Sequence, residues 1–163
     1  MTRSFTGSTH GTDASMFRIT STDHQSPSPS IASMHTSTIA TPPGIRLVAS
    51  KSHRTARVDA VRKALGIGDE MNVGSIGLKM AMVAEGTRDL YVYPGSRTKI
   101  WDTCAPEAIL HAAGGRVTDL DARPLTYDQA ELNNRRGIVA SNGPLHDFVI
   151  TTLAPVIAAD PPP

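Results

Sequence analysis

From Ile45 onward, short apolar runs alternate with helical stretches, and nothing else in the chain constrains its fold as strongly. "IRLVAS" (45–50) reads as a buried strand, and "ARVDAVRKALG" (56–66) follows with Val58, Val61, Ala64 and Leu65 on one helical face and Gly66 as its C-cap. "MNVGS" (71–75) reads as a second strand and "IGLKMAMVAEG" (76–86) as a helix closed by Gly86. "DLYVYP" (89–94) is a third strand, and "APEAILHAAGG" (105–115) a helix that tolerates Pro106 because it falls in the first turn. "RVTD", "PLTY" and "GIVAS" read as short strands, and "GPLHDFVITTLAPVI" as a last helix weakened by Pro155. Strands alternating with helices of this length predict an α/β fold: a mixed, largely parallel sheet with flanking helices.

The residues before Gly44 have a different character. "STDHQSPSPSIASMHTSTIATPPG" is dominated by Ser, Thr and Pro, and no apolar period of 3.6 or 2 persists through it. The expected organisation is a disordered lead over 1–43, a folded domain over 44–157 and a frayed tail over 158–163. With aromatics at 4%, the core must come from Ala, Val, Ile and Leu. A net charge of +1 gives no reason to expect a nucleic acid polymer or an anionic membrane as partner. Cys104 is the single cysteine and fits a reducing compartment. No apolar run reaches membrane-spanning length and the start lacks a secretory h-region, so the cytoplasm is the expected location.

One stretch looks built for chemistry: "KIWDTCAPEAILHAAGGRVTD", residues 99–119. Asp102 stands at a strand-to-helix transition, where its carboxylate can cap the helix or ligate a hard cation. Trp101 by itself reads as a core or lining residue, Cys104 as a small packed side chain, and Gly114-Gly115 as a helix stop followed by a tight turn. Ser75, between Gly74 and Gly77, marks a strand entering a helix, where backbone N–H groups favour an anion and Lys79 adds charge. On their own, Lys79 reads as a surface side chain extended to solvent and His53 as a turn residue.

In combination these pieces resemble the inositol monophosphatase superfamily. Trp-Asp, a helix, Ala-Gly-Gly and a strand ending in Asp are similar to that family's C-terminal signature. "SKSH" (50–53), "GSIGLK" (74–79), "VAEGTRDLY" (83–91), "WDTCAPEAIL" (101–110) and "GIVASNG" (137–143) resemble the 3'(2'),5'-bisphosphate nucleotidases within it. The resemblance covers roughly residues 45–153 and implies the fold of that family's C-terminal domain. It implies a Mg²⁺-dependent phosphomonoesterase acting on 3'-phosphoadenosine 5'-phosphate, with an inositol phosphate as the alternative substrate. It further implies Asp102 as a metal ligand and His53, Ser75 and Lys79 as substrate-binding residues.

Two departures stand out. An Arg that follows the third strand in many nucleotidases is replaced by Tyr93 and Pro94, and Ala122 occupies a turn position where relatives place Gly, predicting strain at positive φ. More consequentially, the family's remaining metal ligands come from a Glu-rich stretch and an Asp-Pro-x-Asp-Gly motif. No Asp-Gly occurs here, the only Asp-Pro is Asp160-Pro161, and Glu70, Glu85, Glu107 and Glu131 all lie in the later region. The expectation is a truncated product, inactive alone, whose partner is an N-terminal half or a second copy. The alternative is a non-catalytic nucleotide- or phosphate-binding remnant.

Overall fold

Alternate residues of the central strands face opposite layers, and both faces are apolar, so each strand must be sandwiched between helices. In the computed structural model, which describes residues 15–17, 31–51, 55–127 and 130–162, eleven elements follow in chain order. They are β1 (Ser15–Phe17), β2 (Ile31–Ser33), β3 (Arg46–Ser50), α1 (Ala56–Ala64), β4 (Asp69–Val73), α2 (Ile76–Ala84), β5 (Leu90–Tyr93), α3 (Ile100–Ala112), β6 (Arg116–Thr118), β7 (Ile138–Ser141) and α4 (His146–Ala159). Strands β1 and β2 form an antiparallel pair. The other five make one sheet in the order β4-β3-β5-β7-β6, with β3 parallel to β4 and β5, and β7 antiparallel to β5 and β6.

Leu47, Ala49, Leu90, Val92 and Val139 point to a layer built by α1 (Val58, Val61) and α4 (Val149, Leu153, Ile157). Their neighbours Val48, Tyr91, Ile138 and Ala140 point the other way, against α2 (Met80, Val83, Ala84) and α3 (Leu110). The helix after β3 thus lies on one face, while the helices after its neighbours β4 and β5 lie on the other. Strand order reverses at β3, with β4 added on one side and β5 on the other, and in open α/β sheets such a reversal leaves a crevice at the carboxyl ends of the strands.

Most expected elements stand where the sequence places them, and the differences have physical causes. "PLTY" is not a strand: Tyr127 is held against α3 by its hydroxyl, so 124–127 wraps the helix instead of joining the sheet. Helix α3 begins at Ile100, five residues earlier than expected. Helix α4 runs through Pro155 to Ala159, and Asp160 beyond it accepts from Arg57 Nη2 at 2.8 Å, so the start of the expected frayed tail is tied down. Ala122 does adopt positive φ (64°), in a turn where Asp119 Oδ1 accepts from the N–H groups of Asp121 and Arg123, both at 2.8 Å.

The largest correction concerns the lead. Residues 34–39 are packed, not disordered: Met34 is buried in the core beside α2 and α3. Thr36 N–H donates to Ala113 O at 3.1 Å. Ser37 Oγ donates to Asp89 Oδ1 at 2.5 Å, and Asn142 Nδ2 donates to Ser37 Oγ and to Ile39 O at 2.9 and 2.7 Å. The hydroxyl groups that read locally as competitors of secondary structure are here partners of distant polar groups.

His146, fully buried at the start of α4, sits between two hydroxyls. Thr118 Oγ1 donates to Asp119 O at 2.7 Å, so it accepts from His146 Nε2–H at 2.9 Å, and Nδ1 then accepts from Ser141 Oγ, also at 2.9 Å. Burial first, then the charge of Arg116, pushes the imidazole pKa down to about 4.

Two predictions follow from these packings. A chain begun at Gly44 loses Met34 burial and the Ser37 and Ile39 bonds, and should be less stable than one begun at Ser33 by on the order of 4 kcal/mol. Equal urea midpoints for the two would refute the role of the strap. For His146, the unfolded chain takes up a proton near 6.5 while the folded ring resists until about 4. The unfolded state therefore binds more protons across that window, and stability should fall as pH drops through it, by at most roughly 3 kcal/mol. Urea titrations at several pH values check this, and a His146→Gln chain should lack that component of the slope.

Candidate functional site at the carboxyl ends of the parallel strands

The helix N-termini of α2 and α3 lie side by side at the strand ends. Gly77, in the first turn of α2, faces Pro106 of α3: a Cβ built on it would stand 3.5 Å from Pro106 Cγ, an ordinary contact. Ser75 is the N-cap of α2, with its Oγ accepting from Leu78 N–H at 3.5 Å. Its backbone sits at φ 56°, ψ 132°, a sparsely populated conformation for a residue with a side chain. Strain of that kind is held only where the surroundings fix it, and it concentrates at binding sites.

Lys79 lies one turn further along α2 and is 2% exposed, so the reading of it as a solvent-extended surface lysine is wrong. Its Nζ is 3.5 Å from Val73 O at the end of β4 and 5.0 Å from the centroid of the Tyr91 ring on β5. No carboxylate pairs with it among the described residues. Burial pushes its pKa down. Among the described residues the ammonium therefore has no counter-charge, and it lies in the first turns of a helix whose N-terminus favours an anion.

Asp102 occupies the third position of α3, not the cap: its Oδ2 accepts from Lys99 N–H at 3.3 Å, closing the first turn. Its side chain is exposed at the strand ends, and its negative charge contributes, after burial and the charge of Tyr93, to a raised pKa for Tyr91. Pro106 has no N–H, which removes the donor that the Asp102 carbonyl would meet in a regular helix. Trp101 is 60% exposed, which rules out the core reading and leaves the lining one, and Cys104 is exposed, so it is not the small packed side chain that the sequence suggests. His53 lies outside the described residues, in the 52–54 segment that follows β3. The structure thus brings Ser75, Lys79 and Asp102 to one end of the sheet.

A second set of residues, not flagged by the sequence, fixes the start of α3. Thr103 and Glu107 face inward and are buried. The Tyr127 hydroxyl donates to Glu107 Oε2 and stands 3.3 Å from Thr103 Oγ1. Asn134 Nδ2 donates to Thr103 Oγ1 at 3.3 Å, and its backbone N–H donates to Thr98 O at 2.8 Å. Ile100 N–H donates to Leu132 O at 3.1 Å. Burial first, then Glu107, raises the Tyr127 pKa. The only hint in the sequence was a Glu on an otherwise apolar helix face.

A surface groove of about 850 Å³ lies elsewhere: Leu120, Arg123, Arg136, Ile150 and Ile157 line it, and it contains none of these residues. The site is an open shelf at the starts of α2 and α3, where Leu78 and Trp101 are exposed.

Known proteins share stretches of this sequence and this fold. The inositol monophosphatase family model matches residues 13–158, so the match begins well before Gly44. The chain is 36% identical to the 3'(2'),5'-bisphosphate nucleotidase 1 of Rattus norvegicus over 96 residues, which is 58% of this chain and 31% of that protein. It is 40% identical to the 3'(2'),5'-bisphosphate nucleotidase CysQ of Escherichia coli K12 over 85 residues, 52% of this chain and 34% of that one. The solved inositol monophosphatase of Anabaena superimposes with a TM-score of 0.59 at 26% identity, covering 74% of this chain and 47% of that chain. The chain therefore spans about a third of these curated relatives and about half of the solved structure.

The Tyr127–Glu107 contact gives a direct test. Tyr127→Phe leaves a buried carboxylate without its donor and should cost about 2 kcal/mol in urea denaturation. Combined with Glu107→Leu, the loss should be smaller than the sum of the single losses. Additive losses would mean that the pair is not coupled.

Proposed function

This chain belongs to the inositol monophosphatase family, and on that premise we propose that it supplies the phosphate-holding side of a phosphomonoesterase site for 3'-phosphoadenosine 5'-phosphate. The observation that carries the reading is Lys79: a buried ammonium with no carboxylate partner among the described residues, beside the strained N-cap Ser75. A phosphate at the start of α2 would offset the cost of burying that charge, and the helix N-terminus would add its own donors. The names of the rat and Escherichia coli relatives favour a nucleotide bisphosphate over an inositol phosphate.

In this reading the residues of the chain bind and orient. Ser75 and the first turn of α2 receive the phosphate oxygens, Lys79 balances their charge from below, and Tyr91 screens Lys79 from the sheet. Asp102 would be one oxygen ligand of a Mg²⁺ ion, which when bound polarises the phosphate. The residues present do not make that metal site by themselves. Among the described residues no three His, Cys, Asp or Glu side chains converge on a point that could hold an ion. A Mg²⁺ site needs a near-octahedral set of oxygens. The other ligands would come from polypeptide outside this set, and a cytoplasmic setting belongs to the same proposal. No helix among the described residues is long and apolar enough to cross a membrane.

The same observation supports a second reading, in which this chain alone binds the nucleotide without turning it over. One experiment separates them: phosphate release from 3'-phosphoadenosine 5'-phosphate and its binding by calorimetry, with and without Mg²⁺. The expected result is binding without turnover, weakened about tenfold or more in Lys79→Met, since a charge-assisted bond is lost. Asp102→Asn should leave metal-free binding unchanged. Equal binding by wild type and Lys79→Met would refute the phosphate assignment, and Mg²⁺-dependent release abolished in Asp102→Asn would refute the non-catalytic reading.

A further inference from the structure

The groove of about 850 Å³ has an apolar floor and a cationic rim, and no residue of the shelf lines it. Its floor is a flank of α4. Ile150, Ala154 and Ala158 recur at every fourth residue, so they stand in one row along the helix. Helix α4 already buries Val149, Leu153 and Ile157. The row is therefore a second apolar face beside the first, and it is open on the groove. Leu120, in the turn after β6, adds to the floor. Pro161 adds a wall beyond the end of α4, where Arg57 Nη2 donates to Asp160 Oδ1 and to Pro161 O, each at 2.8 Å.

The rim carries an uneven count of charges. Arg135 is matched by Glu131, with Nε donating to Oε2 at 2.8 Å. Arg123 and Arg136 share a single acceptor: both donate through Nη1 to Asp121 Oδ2, Arg123 at 3.2 Å. Two guanidinium groups on one carboxylate leave one positive charge in excess. Among the described residues neither side chain makes another hydrogen bond, so most of their N–H donors are open. Both are well exposed, at 60% and 59%, and ion pairs so placed hold weakly, so an incoming anion can take these donors. We propose that the groove binds a small amphiphilic anion, an acyl chain that ends in a carboxylate, with its head on Arg123 and Arg136 and its tail along α4. Charge complementarity selects the head, because the planar fork of a guanidinium matches a carboxylate. The row on α4 selects the tail, since a nucleotide would set its sugar and phosphates against apolar side chains. The volume suits one small molecule, whose sites span roughly 300–1,000 Å³. This site is independent of the function proposed above.

Calorimetric titration of the full chain with dodecanoate tests this. Dodecyltrimethylammonium supplies the same tail with the opposite charge, hexanoate the same head with a shorter tail, and acetylated tetraglutamate the charge without a tail. Dodecanoate should bind one to one, about tenfold or more tighter than each of the three. Arg123→Gln combined with Arg136→Gln should erase the preference for the anion. Asp121→Asn, which releases both guanidinium groups, should tighten dodecanoate several-fold. These three positions are exposed, so the variants should keep the urea midpoint of the parent chain. The chain-length comparison needs no variant at all. Dodecanoate should also bind equally with and without 3'-phosphoadenosine 5'-phosphate. Absence of saturable binding overturns the proposal, and so do equal affinities for the two charges or a preference that survives the loss of both arginines. Tetraglutamate bound as tightly as dodecanoate would assign the rim to an acidic peptide, and displacement by the nucleotide would make the groove part of the nucleotide site. Either result overturns it as well.

Discussion

The carboxylate of Asp89 organises the end of the sheet opposite the shelf. It is fully buried at the entry to β5 and accepts from Arg46 N–H at 2.7 Å, from Arg46 Nε at 2.9 Å and Nη2 at 2.7 Å, and from the Ser37 hydroxyl at 2.5 Å. Burial alone would raise its pKa, but the hydrogen bonds from Arg46 and Ser37 outweigh it and hold the group below the usual carboxylate range. Its backbone joins the same knot: Asp89 N–H donates to Arg46 O, and Asp89 O accepts from Asn142 N–H. One residue thus clamps the starts of β3 and β5, the end of β7 and the 34–39 strap. Removing one partner from such a pair costs about 3–5 kcal/mol, a large share of the stability of a domain this size. With the amino ends of the parallel strands fixed, their carboxyl ends are free to carry strained and uncompensated groups.

Those groups are concentrated at the shelf. Ser75 is held at positive φ, and Lys79 is buried without a carboxylate partner among the described residues. The Asp102 carbonyl faces a proline where its helical donor should be. Each departs from what local propensity and burial favour, and proteins keep such departures where they serve binding. Ala122 is strained too, but in a turn after the edge strand β6 that the Asp119 carboxylate fixes, so strain alone does not mark a site.

How much of this was legible in the sequence depended on range. Gly66 and Gly86 end α1 and α2 at positive φ as expected, and the alternation of Leu47, Val48 and Ala49 between two faces shows β3 to be doubly covered. These signals are local. The strap was missed because its bonds join residues 52 to 106 positions apart, as in Ser37–Asp89 and Thr36–Asn142, and no periodicity reports them. Ser75, Lys79 and Asp102 were found as a motif, but the burial of Lys79 depends on Tyr91 and Val73 from two other strands. The sequence misplaces the start of α3 because Pro106 reads as a first-turn residue, whereas the helix accommodates it well inside.

The misplaced start of α3 and its inverted polarity share one cause. A helix that packs only against a sheet needs an apolar inner face, yet α3 puts Thr103 and Glu107 there, and these are tolerable because Tyr127 and Asn134 satisfy them. A polar inner network of this kind adds little net stability, but it fixes the rotation of the helix, since a turn about its axis would leave a carboxylate buried and unpaired. Rotation is what decides where Asp102 points. The apolar contacts of Leu110 and Met34 hold α3 to the sheet, and the Glu107–Tyr127–Asn134 network sets which residues it presents outward. A helix held by packing alone could present its carboxylate over a range of angles. Held by this network, α3 presents Asp102 at one angle.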